Sequence, residues 1–260
     1  MTVYNRQTEG KLNDILTILG ATKTTFFPFW EKTGQLVTGI GNTNLIPAET
    51  GGAAEDLEHD FAPHELTPGS GLHVYQFSPT GDHHLAGTDN AAFSFVAAAF
   101  SVGAWIRPRS IVSNAILAKY DSAGNAEEWR FWIDAAGLLD LELHDASAST
   151  TEIGVSSAAI VLNQMQFVVA TYDGTPATPD VHLYVDGVDL NPTGATTEAG
   201  AFVDMEDTAT PLTVGCGGVT ATPTTEFDGC MAMPFICGKQ LTAAEVVALR
   251  DIMRPLVGIS

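Results

Sequence analysis

The chain reads as an all-β protein: one two-sheet antiparallel sandwich with a short helix at each end. Three observations predict this. From residue 71 onward the sequence is a series of short apolar-alternating runs broken by turn residues, the pattern of a sandwich. Two of those runs form hairpins whose register the side chains fix. The length of 260 residues suits one large sandwich, since such domains often run to about 200–250 residues.

The first hairpin spans residues 127–145. Trp129, Phe131 and Ile133 alternate with Glu128, Arg130 and Trp132; Leu139, Leu141 and Leu143 alternate with Asp140, Glu142 and His144. Both apolar sets must face the core, because a slip of one residue would turn every side chain over. Pairing Phe131 with Leu141 satisfies this. It leaves Ala135-Ala136-Gly137 as the loop, with Gly137 in the left-handed position such loops prefer. Arg130 then stands opposite Glu142, Trp132 opposite Asp140 and Glu128 opposite His144, on a face expected to be solvated. The second hairpin centres on Asp186-Gly187, a type I′ signal, with Val181, Leu183 and Val185 alternating with His182 and Tyr184.

The helices have their own signals. Leu12, Ile15, Leu16 and Leu19 follow helical spacing within residues 4–20, and Gly20 is a stop. The sandwich signals begin at about Thr24, so residues 1–23 are expected to form a helical segment extra to a domain of residues 24–260. That segment is expected to dock on a partner, with packing on the domain's own sheet as the alternative. Near the other end, Thr242-Ala-Ala-Glu245 is a capping box flanked by Leu241 and Val246. It predicts a helix over about 243–253, closed by Pro255. Residues 47–70, rich in Pro, Gly and acids, read as a long surface loop.

Composition restricts function. Acidic residues number 31 against 11 basic, a net charge of −20; this argues against nucleic acid as a partner, which needs a basic footprint. No run is long and apolar enough to insert in a membrane, and the first twenty residues do not read as a signal peptide. The odd set Cys216, Cys230 and Cys237 reads as reduced, buried thiols. Cys230 and Cys237 would point to opposite faces of one straight strand.

The motifs, taken in order, resemble a known family. Phe27-Pro28-Phe29-Trp30-Glu31-Lys32-Thr33-Gly34 resembles the opening strand of laminin-G-like jelly rolls. Phe100 to Pro108 is similar to their Trp-centred strand, and Gln166 to Gly174 to their "ATYDG" strand. His182-Leu183-Tyr184-Val185-Asp186-Gly187 is similar to their "LYVDG" hairpin. Phe227-Asp228-Gly229 with Leu241-Thr242-Ala243-Ala244-Glu245 resembles their closing strand and helix. The resemblance covers roughly residues 24–253 and implies a concanavalin A-like jelly roll. The helix at 4–20 resembles one that precedes this domain in some bacteriophage particle proteins. These are turn and core residues, so they specify architecture and not activity.

The resemblance brings candidate sites. Laminarinase-type relatives carry Glu-x-Asp-x-x-Glu, and retaining hydrolysis needs two carboxyls about 5–5.5 Å apart. Here the analogue is Asp140-Leu-Glu142-Leu-His-Asp145, with Asp and Glu exchanged throughout. The expectation is therefore no catalytic residue, and a Glu142–Arg130 cross-strand pair instead. Trp132, an aromatic on the outer face beside Asp140, Glu142 and Arg130, is the candidate ligand platform, unless another layer or subunit covers it. Calcium, which related lectins hold, would be sought at Asp82 and Asp228. His59, His64, His73, His83 and His84 lack metal-ligand spacing and read as loop histidines. The functional expectation is a non-enzymatic virion structural or adhesion protein, a capsid decoration or tail component. Its partners would be other virion proteins and host-surface glycans, within an oligomeric assembly exposed after release from the host. A stand-alone carbohydrate-binding lectin is the alternative, and a glycoside hydrolase the third reading.

Overall fold

The computed structural model describes residues 6–41, 43–48, 61, 63–66, 68, 70–111, 113–122, 125–199, 202–218 and 225–259. Two antiparallel eight-stranded sheets face each other as a jelly-roll sandwich. The first sheet runs β13 (Val188–Asp189), β12 (Val181–Val185), β11 (Gln166–Tyr172), β6 (Phe100–Pro108), β16 (Gly229–Cys237), β4 (His73–Phe77) and β3 (His64–Glu65), with β1 (Thr25–Phe26) also on β16. The second runs β14 (Thr197–Ala199), β10 (Thr150–Ala159), β9 (Leu138–Asp145), β8 (Trp129–Ile133), β7 (Asn114–Lys119), β15 (Thr213–Val214), β5 (His84–Ala86) and β2 (Ile46–Ala48). The fold expected from the sequence is the fold observed.

Period-two alternation builds the core between the sheets. Phe100, Val102, Ala104 and Ile106 of β6 meet Trp129, Phe131 and Ile133 of β8 and Leu139, Leu141 and Leu143 of β9 in one buried cluster. Residues of β6 and β11 are nevertheless buried on both faces. The reason is a second apolar cluster on the far side of the first sheet. Trp105, Phe167, Val169, Tyr184 and Phe235 are covered there by α1 (Arg6–Leu19) and α2 (Ala243–Met253).

This corrects the expectation for the N-terminal helix. Leu12, Ile15 and Leu19 are buried against the chain's own sheet and α2, and do not present a free stripe to a partner. The helix covers aromatic residues that the sheet would otherwise expose, which period-two analysis of single strands does not reveal. The loop expectation for 47–70 also changes. Residues 49–60, including His59, lie outside the described residues. Phe61, however, is fully buried against Tyr75 and Phe77, and His64–Glu65 pair with β4. His73 and His84 lie on β4 and β5, bonded to the Phe29 and Asp82 carbonyls, and are not loop residues.

The cysteines are free and buried, as read from the sequence; burial pushes the Cys216 and Cys237 thiols up to about 12, so neither is a ready thiolate. The expectation of opposite faces fails. Strand β16 carries a bulge between Ala232 and Phe235, with Met233 at φ +50°. The extra residue reverses the alternation. Cys237 joins Ala232 and Phe235 in the outer cluster, and Cys230 takes a hydrogen bond from Arg107 on the same outer face.

The C-terminal helix follows its local signals. Thr242 Oγ1 accepts from the Glu245 amide at 3.3 Å, and Glu245 Oε2 accepts from the Thr242 amide at 2.9 Å. Leu241 and Val246 flank the cap and are buried together. Thr242→Ala should destabilise the protein by about 1 kcal/mol, seen as a lowered urea midpoint at unchanged slope.

Candidate ligand face

Among the described residues no helix covers the outer face of the second sheet. Its central hairpin has the expected register: Arg130 pairs with Glu142, Phe131 with Leu141 and Trp132 with Asp140. The loop closes because Gly137 takes φ +79°, while Asp134 Oδ1 accepts from the Ala136 and Leu138 amides at 2.8 Å each. Trp129, Phe131 and Leu141 therefore point inward, and Arg130, Trp132, Asp140, Glu142 and His144 outward.

The outward residues form one connected group. The Arg130 guanidinium lies 3.8 Å from the Trp132 ring centre and 4.6 Å from that of Tyr120, a cation held between two aromatic rings. It donates to Glu142 Oε2 through Nη2 at 2.5 Å and Nε at 3.1 Å. His144 Nε2 lies 3.2 Å from the same oxygen, and its Nδ1 3.3 Å from Thr151 Oγ1. Tyr120 closes the group with its ring 5.0 Å from the His144 ring. Beside it opens a cleft of about 320 Å3 lined by Tyr120, Asn125, Glu127, His144 and Thr151.

The expectation of a solvated face needs correction. Asp140 and Glu142 are 4% and 6% exposed. The rings of Tyr120 and Trp132 on one side, and Ile153 and Val155 paired beside them on the other, remove both carboxyls from water. Sequence alternation gave the face but not its neighbours. Tyr120 and Thr151 were missed because they belong to the site only through long-range pairing of β7 and β10 with the hairpin.

Burial splits the two carboxyls. Burial raises Glu142, but the bonds from His144 and the charge of Arg130 outweigh it and hold the carboxyl below its usual range. At Asp140 the Arg130 charge also lowers the carboxyl but does not prevail. Burial first, and the Glu142 charge second, push it up to about 8. The Trp132 indole N–H opposite pulls the other way, yet Asp140 Oδ1 and Trp132 Nε1 are both buried without closing a hydrogen bond. Burial thus strongly favours the protonated form of Asp140 over its carboxylate. Between about pH 4 and about pH 8 the folded chain holds this proton and the unfolded chain does not, so stability falls as pH rises through that window. Asp140→Asn should flatten the fall; urea midpoints at about pH 5 and about pH 8 check it.

Asp145, the third member of the acidic triplet, lines the adjoining cleft, but its carboxyl is engaged elsewhere. Its Oδ1 accepts from Ser147 Oγ and the Ala148 amide, and its Oδ2 from the Val203 amide. Burial opposes ionisation, but these donors prevail and lower the carboxyl.

Asp82 and Asp228 do not assemble a metal site. Asp228 Oδ1 accepts from Arg109 Nε at 2.9 Å, so a calcium ion there would meet a guanidinium. Asp82 ends the 3-10 turn Pro79–Gly81 at φ +53°. Among the described residues no group of three or more His, Cys, Asp or Glu is arranged to hold a metal ion, and these two donors do not fit calcium. No helix among the described residues is long and apolar enough to cross a membrane.

Comparison with known proteins follows this geometry. The sequence profile described as the Concanavalin A-like lectin/glucanases superfamily matches residues 79–247. None of the curated proteins matches the chain significantly. Among solved structures, the binding domain of Paraclostridial Mosquitocidal Protein 1 superposes with a TM-score of 0.61 at 14% identity, over 90% of this chain and 52% of that one. The binding domain of Botulinum Neurotoxin DC, in complex with SialylT, gives 0.58 at 16% identity, over 90% and 52%. This chain therefore spans about half the length of those toxin domains. Domain 4 of AbnA, a GH43 extracellular arabinanase from Geobacillus stearothermophilus, in complex with arabinotriose, gives 0.54 at 14% identity, over 87% and 97%. At these identities the likeness is one of fold.

Proposed function

Since the chain belongs to the Concanavalin A-like lectin/glucanases superfamily, we propose that it is a non-catalytic glycan-binding protein whose ligand face is the outer surface around Trp132. The observation that carries this reading is the Trp132–Arg130–Tyr120 group with its adjoining cleft. Ring faces give a sugar's C–H surface an apolar contact, and Asn125, Glu127, His144 and Thr151 of the cleft supply directional polar partners for hydroxyls. Two of the structural relatives are complexed with SialylT and arabinotriose, which supports a glycan as the ligand class.

The protonation pattern supports binding without hydrolysis. A retaining mechanism needs an ionised nucleophile and a protonated acid close together. Here burial raises the proton affinity of Asp140, the first member of the acidic triplet, while Asp145, the last, is lowered and engaged by backbone amides. We place the protein on a virus particle, as an adhesion or decoration component of a tailed bacteriophage contacting other virion proteins and host glycans. Three buried free thiols in a fold of binding modules support this setting, as does the acid-rich composition. Finding the protein by mass spectrometry on purified particles tests it.

Trp132→Ala should weaken glycan binding at least about tenfold, the loss of roughly 1.4 kcal/mol, with the fold intact by circular dichroism. A glycan array followed by calorimetry checks it. Absence of any glycan ligand, or release of reducing sugar from laminarin that Glu142→Gln abolishes, sinks the reading.

A further inference from the structure

A second polar group lies inside the sandwich, apart from the ligand face. Lys119, the last residue of β7, has a fully buried side chain. Its Nζ is 2.5 Å from Glu128 Oε1, 3.1 Å from Asp89 Oδ1 and 2.6 Å from the Thr208 carbonyl. Glu128 is equally buried. Its Oε1 also accepts from the Thr208 amide at 2.7 Å and hydroxyl at 2.9 Å, while its Oε2 is buried without a hydrogen-bond partner. The next residue, Trp129, is bonded to the Phe93 carbonyl at 2.9 Å and packs beside Phe95 and Phe100. Aromatic surface therefore adjoins the group.

One ammonium between two carboxylates is a poor arrangement in such a place. Lys119 and Glu128 each lose several kcal/mol of hydration on burial, and the one ammonium is shared between two carboxylates. The same three groups are, however, the reactants and the proton carrier of an amide condensation. We propose that Lys119 and Asp89 are joined by an isopeptide bond, formed with Glu128 as the proton carrier. The lone pair of the Lys119 amine attacks Asp89 Cγ and the C–N bond forms. A C–O bond of the Asp89 carboxyl breaks. Glu128 takes a proton from the nitrogen and returns one to the departing oxygen. Nζ loses two hydrogens and Asp89 one oxygen relative to the ion pair, and these leave as one water. Nothing is oxidised or reduced and no co-reactant is needed.

Three features favour the step. Positioning within hydrogen-bond distance turns a bimolecular condensation into an intramolecular one. The product exchanges two ions for a neutral amide, which costs far less to bury. Asp89, with its side chain 42% exposed, gives the released water a path out. Burial, the largest influence on Glu128, pushes its carboxyl up despite the bond to Lys119, as suits a group that must hold and return a proton. The bond would tie the segment after β5 to the end of β7, a covalent staple in a chain whose cysteines form none.

Intact-mass spectrometry of the purified full chain tests this directly. The mass should fall about 18 Da below that of the sequence, trypsin should fail to cut after Lys119, and one linked peptide should contain both Lys119 and Asp89. Asp89→Ala and Glu128→Ala should each restore the full mass. A wild-type chain at full mass overturns the proposal. So does a loss of water mapped to any other pair. The wild-type measurement decides the matter even if a variant fails to fold.

Discussion

Deleting residues 1–23 lowers the melting temperature by about 10 °C and makes the protein prone to aggregate. The deletion removes Leu12, Ile15 and Leu19, each almost fully buried. Burial of such a side chain contributes about 1.5–3 kcal/mol, so the three together contribute about 5–9 kcal/mol, an upper bound because the unfolded chain buries some of this area already. In a domain of this size each kcal/mol shifts the midpoint by about 2–4 °C. The deletion also uncovers apolar side chains of the cluster that the helix shares with α2 and the first sheet, apolar surface of the kind that drives association. Differential scanning calorimetry with light scattering measures both effects. An unchanged midpoint would mean that the helix is a detachable anchor and that its packing against the sheet contributes nothing.

Arg130→Ala destabilises by about 3–5 kcal/mol, the cost of leaving a buried carboxylate without its partner. Glu142 stays behind, 6% exposed, with His144 as its remaining side-chain donor. The double variant Arg130→Met with Glu142→Leu should recover most of the loss, since two apolar groups of similar volume need no partners. Urea midpoints of the single and double variants make the comparison. Equal loss in both would assign the effect to the packing of the Arg130 stem between Trp132 and Tyr120, and the ion pair would then contribute little. A loss below about 1 kcal/mol in the single variant would mean the pair behaves as a solvent-exposed one.

What could be read from the sequence was what local chemistry decides. The register of the β8–β9 hairpin follows from two apolar alternations and one glycine; the capping box of α2 follows from four residues; the Asp186-Gly187 turn, with both residues at positive φ, follows from two. The parts that were not legible depend on distant neighbours. The hairpin register sets Trp132 opposite Asp140, but nothing near Asp140 signals that Val155 will flank it on the other side, so its raised proton affinity was invisible. Nothing in Gly229–Cys237 announces the bulge that turns Cys237 outward. The stripe on α1 was evident, but not what it covers, because Trp105 and Phe167 show an outward apolar face only when β6 and β11 are paired. Lys119 and Glu128 bracket a turn and read as ordinary surface charges until residues 89 and 208 close over them.

Both helices lie on the same broad side of the sandwich, and Trp132 lies on the other. The two sheets of such a sandwich pack about 10 Å apart, so the described ends of the chain, near Arg6 and Ile259, belong to the side away from the aromatic group. A tether fused at either end, or a surface to which the helix side is fixed, would hold the molecule with Trp132, Tyr120 and the adjoining cleft turned toward the medium. Copies fixed in this way would all face the same direction, and a weak single contact at each would add up across the array through effective concentration.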